Sequence, residues 1–470
     1  MADQSLPVLT KADIPPQTHI MRLDDRLAQG KALREKASRK SQALWNPPAE
    51  RTDPVELLIE SSKGRVEALL PIRYGRMVVS PFTFYRGAAA IMAYDLAHTP
   101  STGLTLFACG DCHLLNFGAF ATAERKVAFD INDFDEVSLA PWEWDVKRLS
   151  ASFVVAGRSN GFSAEDCREA AWLVAHQYRL RLAEYATQPV LRVWNDSIDF
   201  DWVIANMADK EMKRLYTKKL AGATEQSAHE KEFAKLTFSA GDMPRILDQP
   251  PLIYHLPEQD DVGNWELVQK ALEDYKKTLL PARQLLLNRF KMVDFAFKVV
   301  GVGSVGTMCG IILLMSGNGD PLFLQYKQAR QSVLEPYCGQ SPFGHAGQRV
   351  VTGQRIMQVA SDIFLGWTTG TGRDKRHFYL RQLSDAKIKP VIEIMTPANL
   401  KGYAQLCGWI LARAHARSGD PAVLTGYLGK STLFEDALAD FAAAYADQNE
   451  KDYAALLQAI RSGRIEARQE

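Results

Sequence analysis

The stretch from Cys109 to Asp145 constrains the fold of this chain more than any other part of its sequence. It follows a short apolar run, Leu104 to Ala108, which predicts a buried strand. A polar loop comes next, then a second apolar run from Val127 to Ile131, and then a turn rich in carboxylates. Backbone hydrogen bonds fix strands, and the loops between fixed strands are where proteins carry reactive groups. We therefore expect the chemistry of this protein to lie at one edge of this hairpin.

The polar side chains of this stretch have the types and the spacing that phosphoryl or nucleotidyl transfer requires. Asp111 is followed five positions later by Asn116, which matches the D-x-x-x-x-N catalytic loop of protein kinases. In that chemistry a carboxylate orients the attacking hydroxyl, while hard oxygen atoms hold Mg²⁺ beside the phosphates. These residues predict a catalytic role for Asp111 and a metal-ligand role for Asn116.

Two further aspartates compete for a metal-ligand role. Asp133 lies beyond the second strand, where a hairpin would return it towards Asn116, and the triplet Asp133-Phe134-Asp135 resembles the kinase Asp-Phe-Gly. Asp130 lies within the strand with the opposite parity, so only one of the two needs to face the site. The alternative is structural, because Asp and Asn also cap turns.

A glycine-rich run and a lysine occur much later in the chain. Residues 301–306 read G-x-G-x-x-G, but the run Cys309 to Met315 that follows is apolar, contains β-branched residues and ends in a Gly-Asn-Gly turn. A dinucleotide-binding fingerprint needs a helix there, whereas the glycine loop of kinases leads into a strand. The strand after that turn ends at Lys327, in the place of the kinase lysine that pairs with the phosphates. The residues expected to hold nucleotide phosphates are Gly301, Gly303, Ser304, Gly306 and Lys327.

The glycine run has an alternative interpretation, and the acidic partner expected of Lys327 is missing. In isolation, the same run is also consistent with a tight hairpin followed by an exposed lysine. The acidic partner that kinases give this lysine is not evident, since Glu335 is the only acidic residue between Lys327 and Asp362. Arginines nearer the amino terminus either bind phosphate as planar charged forks or pair with the acidic turn, and they are Arg73, Arg76 and Arg86.

A third hypothesis rests on Cys109, Cys112 and His113, which form C-x-x-C-H, the pattern of c-type haem attachment with a redox spacing inside it. Haem attachment requires export, and the amino terminus has no apolar run typical of a secretion signal. A redox pair usually opens a helix after a strand, whereas residues 114–118 predict a turn. A redox or zinc protein would leave Asn116 and the later carboxylates unexplained.

Length and composition exclude other classes of protein. A chain of 470 residues is too long for one compact core, so we expect two or three sub-domains. The net charge of +1 gives no reason to expect nucleic-acid binding. Six sparse cysteines favour a cytoplasmic protein. The uncharged stretch Val299 to Gly319 contains many glycines, so it predicts a buried hairpin rather than a membrane span.

The order of the sequence patterns predicts four parts. Residues 1–70 form an amino-terminal helical arm, and 71–295 a domain with the catalytic loop and mostly helical segments from Val146 onwards. Residues 296–396 form a β-rich domain with the glycine loop, one helix over Gly347 to Ala360 and a strand over Arg376 to Leu383. Residues 397–470 are helices that pack back on the second part.

As a set, these motifs resemble the bacterial domain-of-unknown-function family 2252, a group similar to the aminoglycoside-phosphotransferase branch of the kinase-like superfamily. The matching segments are RYGRMVVSPFTFYRGAA, CGDCHLLNFG, FDINDFDE with PWEWDVKRL, VGVGSVGT, LFLQYK and GQRIMQVASDIFLGW. The resemblance implies an α+β fold with the two lobes of a protein kinase, and ATP and Mg²⁺ as cofactors. It assigns Asp111 as the base, Asn116 and Asp133 as metal ligands, and Asp145 as a structural anchor.

Two departures from the phosphotransferase pattern change what is expected. Cys109 stands where phosphotransferases usually have His, so the catalytic loop needs another anchor. The glycine loop and Lys327 follow the catalytic loop instead of preceding it, which implies a circularly permuted kinase. Permutation is admissible because chain ends are commonly close together at the surface. The helix that leads into the catalytic loop is then Leu400 to Ser418 or, alternatively, Ala88 to Ala97.

The sequence therefore predicts an ATP- and Mg²⁺-dependent transferase that binds a nucleotide and an acceptor, either a small molecule or a protein, and that transfers phosphate or AMP. A catalytically inactive nucleotide-binding regulatory protein is the alternative, favoured by Cys109 and by the missing partner of Lys327. The acceptor and the oligomeric state are left open.

Overall fold

The computed structural model describes residues 21–224, 233–240, 243–256, 264–299, 301, 303, 305–372, 375–383 and 387–468. Within these ranges the chain is a mixed α+β protein, in which a helical part carries two short strand pairs and faces a six-stranded sheet.

The helices before residue 290 are α1 (Leu23–Ala32), α2 (Pro54–Ser62), α3 (Leu70–Met77), α4 (Pro81–Gly87), α5 (Ala89–Leu96), α6 (Trp142–Ser159), α7 (Ala164–Tyr185), α8 (Val190–Trp194), α9 (Phe200–Ala205), α10 (Lys210–Thr224), α11 (Trp265–Lys276) and α12 (Pro281–Leu287). The later helices are α13 (Glu335–Cys338), α14 (Ala346–Met357), α15 (Pro397–Ser418), α16 (Pro421–Leu428) and α17 (Leu433–Arg461).

Local sequence sets several helix starts. Ser80 and Thr83 form a capping box at the start of α4, with Pro81 in the first turn. Thr396 is the N-cap of α15, where its side chain accepts a hydrogen bond from Asn399 N, and a proline again lies in the first turn. The helix expected over Ala88 to Ala97 is α5, and the helix expected over Gly347 to Ala360 is α14.

The helical core lies where α6 and α7 pack against α15 and α17. Trp142, at the start of α6, is fully buried and stacks on Tyr178 with its ring centroid 5.9 Å away. Helix α1 packs against α16 through glycines that allow the backbones to approach closely. A Cβ atom at Gly30 would lie only 1.8 Å from Val423 O, so the crossing excludes any side chain there.

Two antiparallel strand pairs carry the polar stretch from Cys109 onwards, and the second of them is a hairpin. β1 (Thr105–Ala108) pairs with β4 (Ser138–Pro141), and β2 (Phe117–Ala121) pairs with β3 (Val127–Ile131). The register of this hairpin sets Phe117 opposite Ile131, so Asn116 and Asn132 meet at its open end. The strands predicted at Leu104 to Ala108 and Val127 to Ile131 are confirmed.

The large sheet is antiparallel, with the order β11-β12-β10-β9-β8-β7. Its strands are β7 (Ile253–Tyr254), β8 (Phe290–Lys298), β9 (Cys309–Ser316), β10 (Pro321–Ala329), β11 (Gly366–Thr369) and β12 (His377–Gln382). The Gly-Asn-Gly turn joins β9 to β10, and Gly319 has the left-handed φ of 84° that favours glycine. Among the residues that the structure describes, no helix has both the length and the apolar composition needed to cross a membrane.

The segment from Val146 to about residue 295, predicted as mostly helical, also contains strands that the sequence patterns did not predict. The structure has β5 (Thr237–Ala240) paired with β6 (Met243–Ile246), and β8 begins at Phe290, before the boundary predicted at residue 295. Charged residues interrupt the apolar alternation of β8, which hid the strand. One of them, Asp294, is buried and accepts a hydrogen bond from Ile246 N, so a tertiary contact overrides the local pattern.

Candidate functional site

A cleft of about 1330 Å³ lies between the large sheet and the β2–β3 hairpin. Its walls come from segments that are far apart in sequence. The predicted site residues that line it are Asp111, Asn116, Asp133, Gly301, Gly303 and Lys327. The two groups that sequence analysis placed on separate parts of the chain thus face one cavity.

The loop that carries Asp111 is anchored by Asp145 in the first turn of α6. Its carboxylate accepts hydrogen bonds from Cys109 N at 2.6 Å and from Gly110 N at 3.0 Å. On the far side, His415 Nε2 lies 3.2 Å from Asp145 Oδ2, and His415 Nδ1 lies 2.8 Å from the hydroxyl of Tyr178. The anchoring role expected of Asp145 therefore has a direct structural counterpart, and the loop does not depend on a side chain at position 109.

The carboxylate of Asp111 is fixed by an arginine that sequence analysis did not single out. Arg148, fully buried in α6, donates to Asp111 Oδ1 from Nε at 2.8 Å and also from Nη2. A second bond from Arg148 Nη2 to Tyr85 O at 3.1 Å fixes the guanidinium. Burial raises the pKa of Asp111 to about 7, and the ion pair with Arg148 limits the rise. Arg148 does not donate to the other carboxylate oxygen, Asp111 Oδ2. The ring nitrogen His113 Nε2 lies 3.8 Å from this oxygen.

The signal that could have identified Arg148 is its position three residues after Asp145 on the same helix. Because residues three apart share a helix face, the anchor of the loop and the partner of its carboxylate come from one side of α6.

Asn116 and Asp133 both line the cleft and come from the two ends of the β2–β3 hairpin. Asn116 Nδ2 donates to Asp111 O at 2.6 Å, and no described residue donates a hydrogen bond to its Oδ1. Asn132 N donates to Asn116 O at 2.7 Å, which sets the neighbouring Asp133 close to it. The Asp133 carboxylate accepts one hydrogen bond, from Asp135 N at 3.2 Å, and has no ion-pair partner within the part of the chain that the structure describes. An amide oxygen and an unpaired carboxylate are a donor set that fits Mg²⁺.

The competing candidate, Asp130, lies outside this cleft. It is fully buried under β3, where its Oδ1 accepts from Arg413 Nη2 at 2.5 Å and its Oδ2 accepts from Val359 N at 2.8 Å. Asp130 lies within β3 with its side chain in the core, whereas Asp133 lies two residues beyond the end of the strand and lines the cleft. The metal-ligand role predicted for Asp130 is therefore not supported by its position.

Lys327 has an acidic partner, but not the one considered from sequence. Its Nζ lies 2.6 Å from Asp135 Oδ2, and the Tyr379 hydroxyl donates to Asp135 Oδ1 at 2.5 Å. Burial acts to raise the pKa of Asp135, but Lys327 and Tyr379 outweigh it and lower the pKa to about 2. Glu335 instead lies 3.6 Å from Arg349 and accepts from Ser332 N. The signal for Asp135 was the second aspartate of the Asp-Phe-Asp triplet.

Two of the three glycines of the glycine run line the cleft. Gly301 and Gly303 line it, whereas Gly306 lies behind them with a φ of 84° and its carbonyl accepts from Val66 N at 2.7 Å. Arg65 Nη1 donates to Val305 O at 2.6 Å and holds the same segment. Ser304 lies outside the described residues.

Arg73 and Arg86 differ in their contacts, and neither forms an ion pair with the acidic turn among the residues that the structure describes. Arg73 is buried and donates to Ser62 Oγ at 2.9 Å and to Gly87 O at 3.1 Å, which is a structural role. Arg86 lines the cleft and donates no hydrogen bond to any residue that the structure describes.

The two cysteines of the C-x-x-C pattern lie beneath the catalytic loop. Potential ligand atoms of Cys109, Cys112 and Asp145 lie within 4.8 Å of one another. Burial raises the pKa of both thiols, which disfavours the thiolates that a metal requires, and the Asp145 carboxylate already accepts two backbone hydrogen bonds. His113 is not part of this group, since its Nδ1 accepts from Leu115 N. The redox or zinc hypothesis finds no support in this geometry.

A family model described as "Uncharacterized protein conserved in bacteria" (DUF2252) matches residues 65–459. The chain belongs to the DUF2252 family. The DUF2252 match includes Asp111, Asn116, Asp133, Asp145 and Lys327, and with them both walls of the cleft. Neither the curated proteins nor the solved structures provide a match to the chain.

Proposed function

We propose that this protein is an ATP- and Mg²⁺-dependent phosphotransferase built on a circularly permuted, two-lobe kinase-like scaffold. The single observation that carries the proposal is the meeting of four residues in one cleft. Asp111, Asn116 and Asp133 lie in the segments that flank the β2–β3 hairpin, and Lys327 lies on a distant strand. These are the residue types that phosphoryl transfer requires for orienting the acceptor, holding the metal and binding the phosphates.

The order of elements in the sheet supports a kinase-like lobe. β8 leads into the glycine run, β9 and β10 follow, Lys327 lies near the end of β10, and α14 comes before β11 and β12. Protein kinases likewise place the glycine loop before the strand that carries the lysine, and a helix after it. In kinases a glutamate on that helix pairs with the lysine; α14 has no acidic residue, and Asp135 takes this place.

The end of α15 supports the permutation. Ser418 Oγ, at the carboxyl end of α15, donates to Phe107 O in β1 at 3.2 Å, and β1 runs directly into the catalytic loop. This contact favours Leu400 to Ser418 over Ala88 to Ala97 as the helix that leads into that loop in an unpermuted chain.

The cleft residues fit a magnesium–triphosphate group. Lys327 is held charged, because Asp135 raises its pKa against the effect of burial, and it lies beside the glycines whose backbone can approach phosphates closely. Asn116 Oδ1 and the Asp133 carboxylate would hold Mg²⁺, which when bound neutralises charge on the phosphate oxygens. Asp111 Oδ2 would accept the hydrogen of the acceptor hydroxyl, while Arg148 keeps the carboxylate in place from Oδ1.

A nucleotide-binding regulatory protein without turnover is the second candidate. The observation that favours it is the double hydrogen bond from Arg148 to Asp111 Oδ1, since a carboxylate held by a buried guanidinium is a weaker base. The two candidates share the nucleotide site and differ only in turnover.

The test combines binding with turnover. ATP and Mg²⁺ at a hundred times the dissociation constant stabilise a protein by about 2.7 kcal/mol, which a thermal or denaturant unfolding curve detects. We expect Lys327→Met to lose this stabilisation, Asp111→Asn to keep it but lose turnover, and the control Lys291→Met, an exposed lysine of β8, to keep both.

Turnover with ATP labelled at the α or γ phosphate decides which group moves. Label retained on an acceptor from the γ position indicates phosphoryl transfer, and label from the α position indicates AMP transfer. Binding without either label on any acceptor favours the regulatory protein, and no stabilisation by the nucleotide contradicts both candidates.

A further inference from the structure

The cleft carries more positive charge than its own carboxylates neutralise. Asp111 is paired with Arg148 and Asp135 with Lys327, so these carboxylates already have cationic partners. Among the carboxylates at the centre of the cleft, this leaves the single charge of Asp133.

Four cationic side chains of the cleft wall lie near Asp133 without an ion pair to any described residue, and they are Arg86, Arg381, Lys387 and Lys389. Asp133 is close enough to each of them to favour its charged form. The side chains of Lys387 and Lys389 are exposed. Cations crowded in this way, with one carboxylate among them, are typical of a site that binds anions.

The excess of charge is greater than a nucleotide alone requires. With both lysines protonated, these four cations and Asp133 amount to a net charge of +3. A magnesium–triphosphate group brings about two negative charges, which leaves a positive charge at the centre of the cleft. Further along the wall lie four more cationic side chains, Arg65, Lys219, Lys298 and Arg330.

Of these four cations, Arg86 is the one whose surroundings best fit a contact with the acceptor. It lies in the last turn of α4, and its backbone carbonyl lies 3.7 Å from the position that a Cβ atom would take at Gly303. Burial lowers its pKa, and among carboxylates Asp111 opposes this most strongly, ahead of Glu393 and Asp133. Its Nε is buried and has no hydrogen-bond partner. A guanidinium left unsatisfied beside the predicted base is poised to bind a group on the molecule that the base orients.

We propose that the acceptor is an anion, and that Arg86, with Lys389 beside it, binds a phosphate or carboxylate group of that molecule. The planar fork of Arg86 matches both groups, and charge-assisted hydrogen bonds to them are the strong ones. The inference rests on the proposed function, and it restricts the substrate class. Polycationic acceptors, including aminoglycosides, are excluded because they would meet the same unpaired cations.

The experiment uses the full-length protein with a non-hydrolysable ATP analogue and Mg²⁺, so that the nucleotide phosphate positions are filled. Inorganic phosphate and succinate are then titrated separately by calorimetry, with chloride at matched ionic strength as the blank. We expect at least one of the two anions to bind, and Arg86→Gln to weaken it by about 10- to 100-fold, the range for a hydrogen bond to a charged group. Arg86→Lys should weaken it less.

The matched control is Arg168→Gln, which removes an arginine exposed on α7 and paired with Asp440. It should bind the anion and the nucleotide analogue as the wild type does. Because Arg86 makes no hydrogen bond within the described residues, Arg86→Gln should also unfold at the wild-type temperature when no ligand is present.

Two results would overturn the inference: neither anion binds, or the bound anion has the same affinity in Arg86→Gln as in the wild type. Failure of the nucleotide analogue to bind would instead contradict the proposed function. In that case the titration without nucleotide still tests the anion site, since loss of binding in Arg86→Gln would support it.

Discussion

Replacing Asp130 by Asn separates the two aspartates that compete as metal ligands. Asp130 is fully buried, and its partner Arg413 is equally buried. Its carboxylate also accepts from Val359 N and Ile131 N. The substitution keeps the shape of the side chain but leaves the Arg413 guanidinium without a counter-charge. Removing one partner of a buried ion pair costs about 3–5 kcal/mol, because the other charge stays buried.

The expected result is a loss of about 3 kcal/mol in the free energy of unfolding for Asp130→Asn, the lower end of that range because the amide still accepts a hydrogen bond. Urea denaturation followed by tryptophan fluorescence measures it as a shift of the midpoint at constant slope. Asp133→Asn is the matched control. With no ion pair to lose, it should lower the free energy of unfolding by less than Asp130→Asn does and should instead weaken Mg²⁺ binding.

Wild-type stability in Asp130→Asn would refute the structural role of Asp130 as the counter-charge of Arg413, since it would mean that the buried guanidinium does not need the carboxylate. Wild-type Mg²⁺ affinity in Asp133→Asn would refute the metal site, whatever the stability of either variant.

Three further predictions concern the backbone, the base and the thiols. Gly118→Ala should lower the free energy of unfolding by about 1–3 kcal/mol in urea, because its Cβ would lie 2.7 Å from Ile388 O, whereas Gly301→Ala, in open space, should leave it unchanged. Transfer activity should fall about tenfold per pH unit below pH 7 and level off above it, because Asp111, with a pKa of about 7, acts only when ionised; a flat profile from pH 5 to 8 would exclude it as the base. A thiol reagent should modify Cys338, which is partly exposed, before the buried Cys112. Mass spectrometry follows the modification over time, and its fast phase should be lost in Cys338→Ser.

Local patterns in the sequence were sufficient for the elements that carry the site. The strands of the β2–β3 hairpin, the turn between β9 and β10 and the strand ending near Lys327 follow from runs of apolar residues and from turn residues. The spacing of Asp111 and Asn116 on one loop is also local, so the sequence contains it directly.

The contacts that fix these side chains could not be predicted in the same way. Asp145 is 36 positions from Cys109 N, which it anchors, and Asp135 is 192 positions from Lys327. Such pairs depend on how the sheet docks on the helical part, and no periodicity of a single segment contains that information. Buried arginines such as Arg148 and Arg413 are hidden for the same reason, since charge in an amphipathic helix normally indicates an exposed face.

The most direct test of the central claim is to label the cleft with an acyl-phosphate derivative of ATP, which acylates an amine lying beside the bound phosphates. Tryptic mass spectrometry then identifies the modified lysine. We expect Lys327 to be modified. Excess ATP with Mg²⁺ should block this modification, and Asp133→Asn should reduce it. Modification of exposed lysines alone, unchanged by ATP and Mg²⁺, would contradict the claim that the hairpin near Asp111 and the strand ending near Lys327 close around one nucleotide.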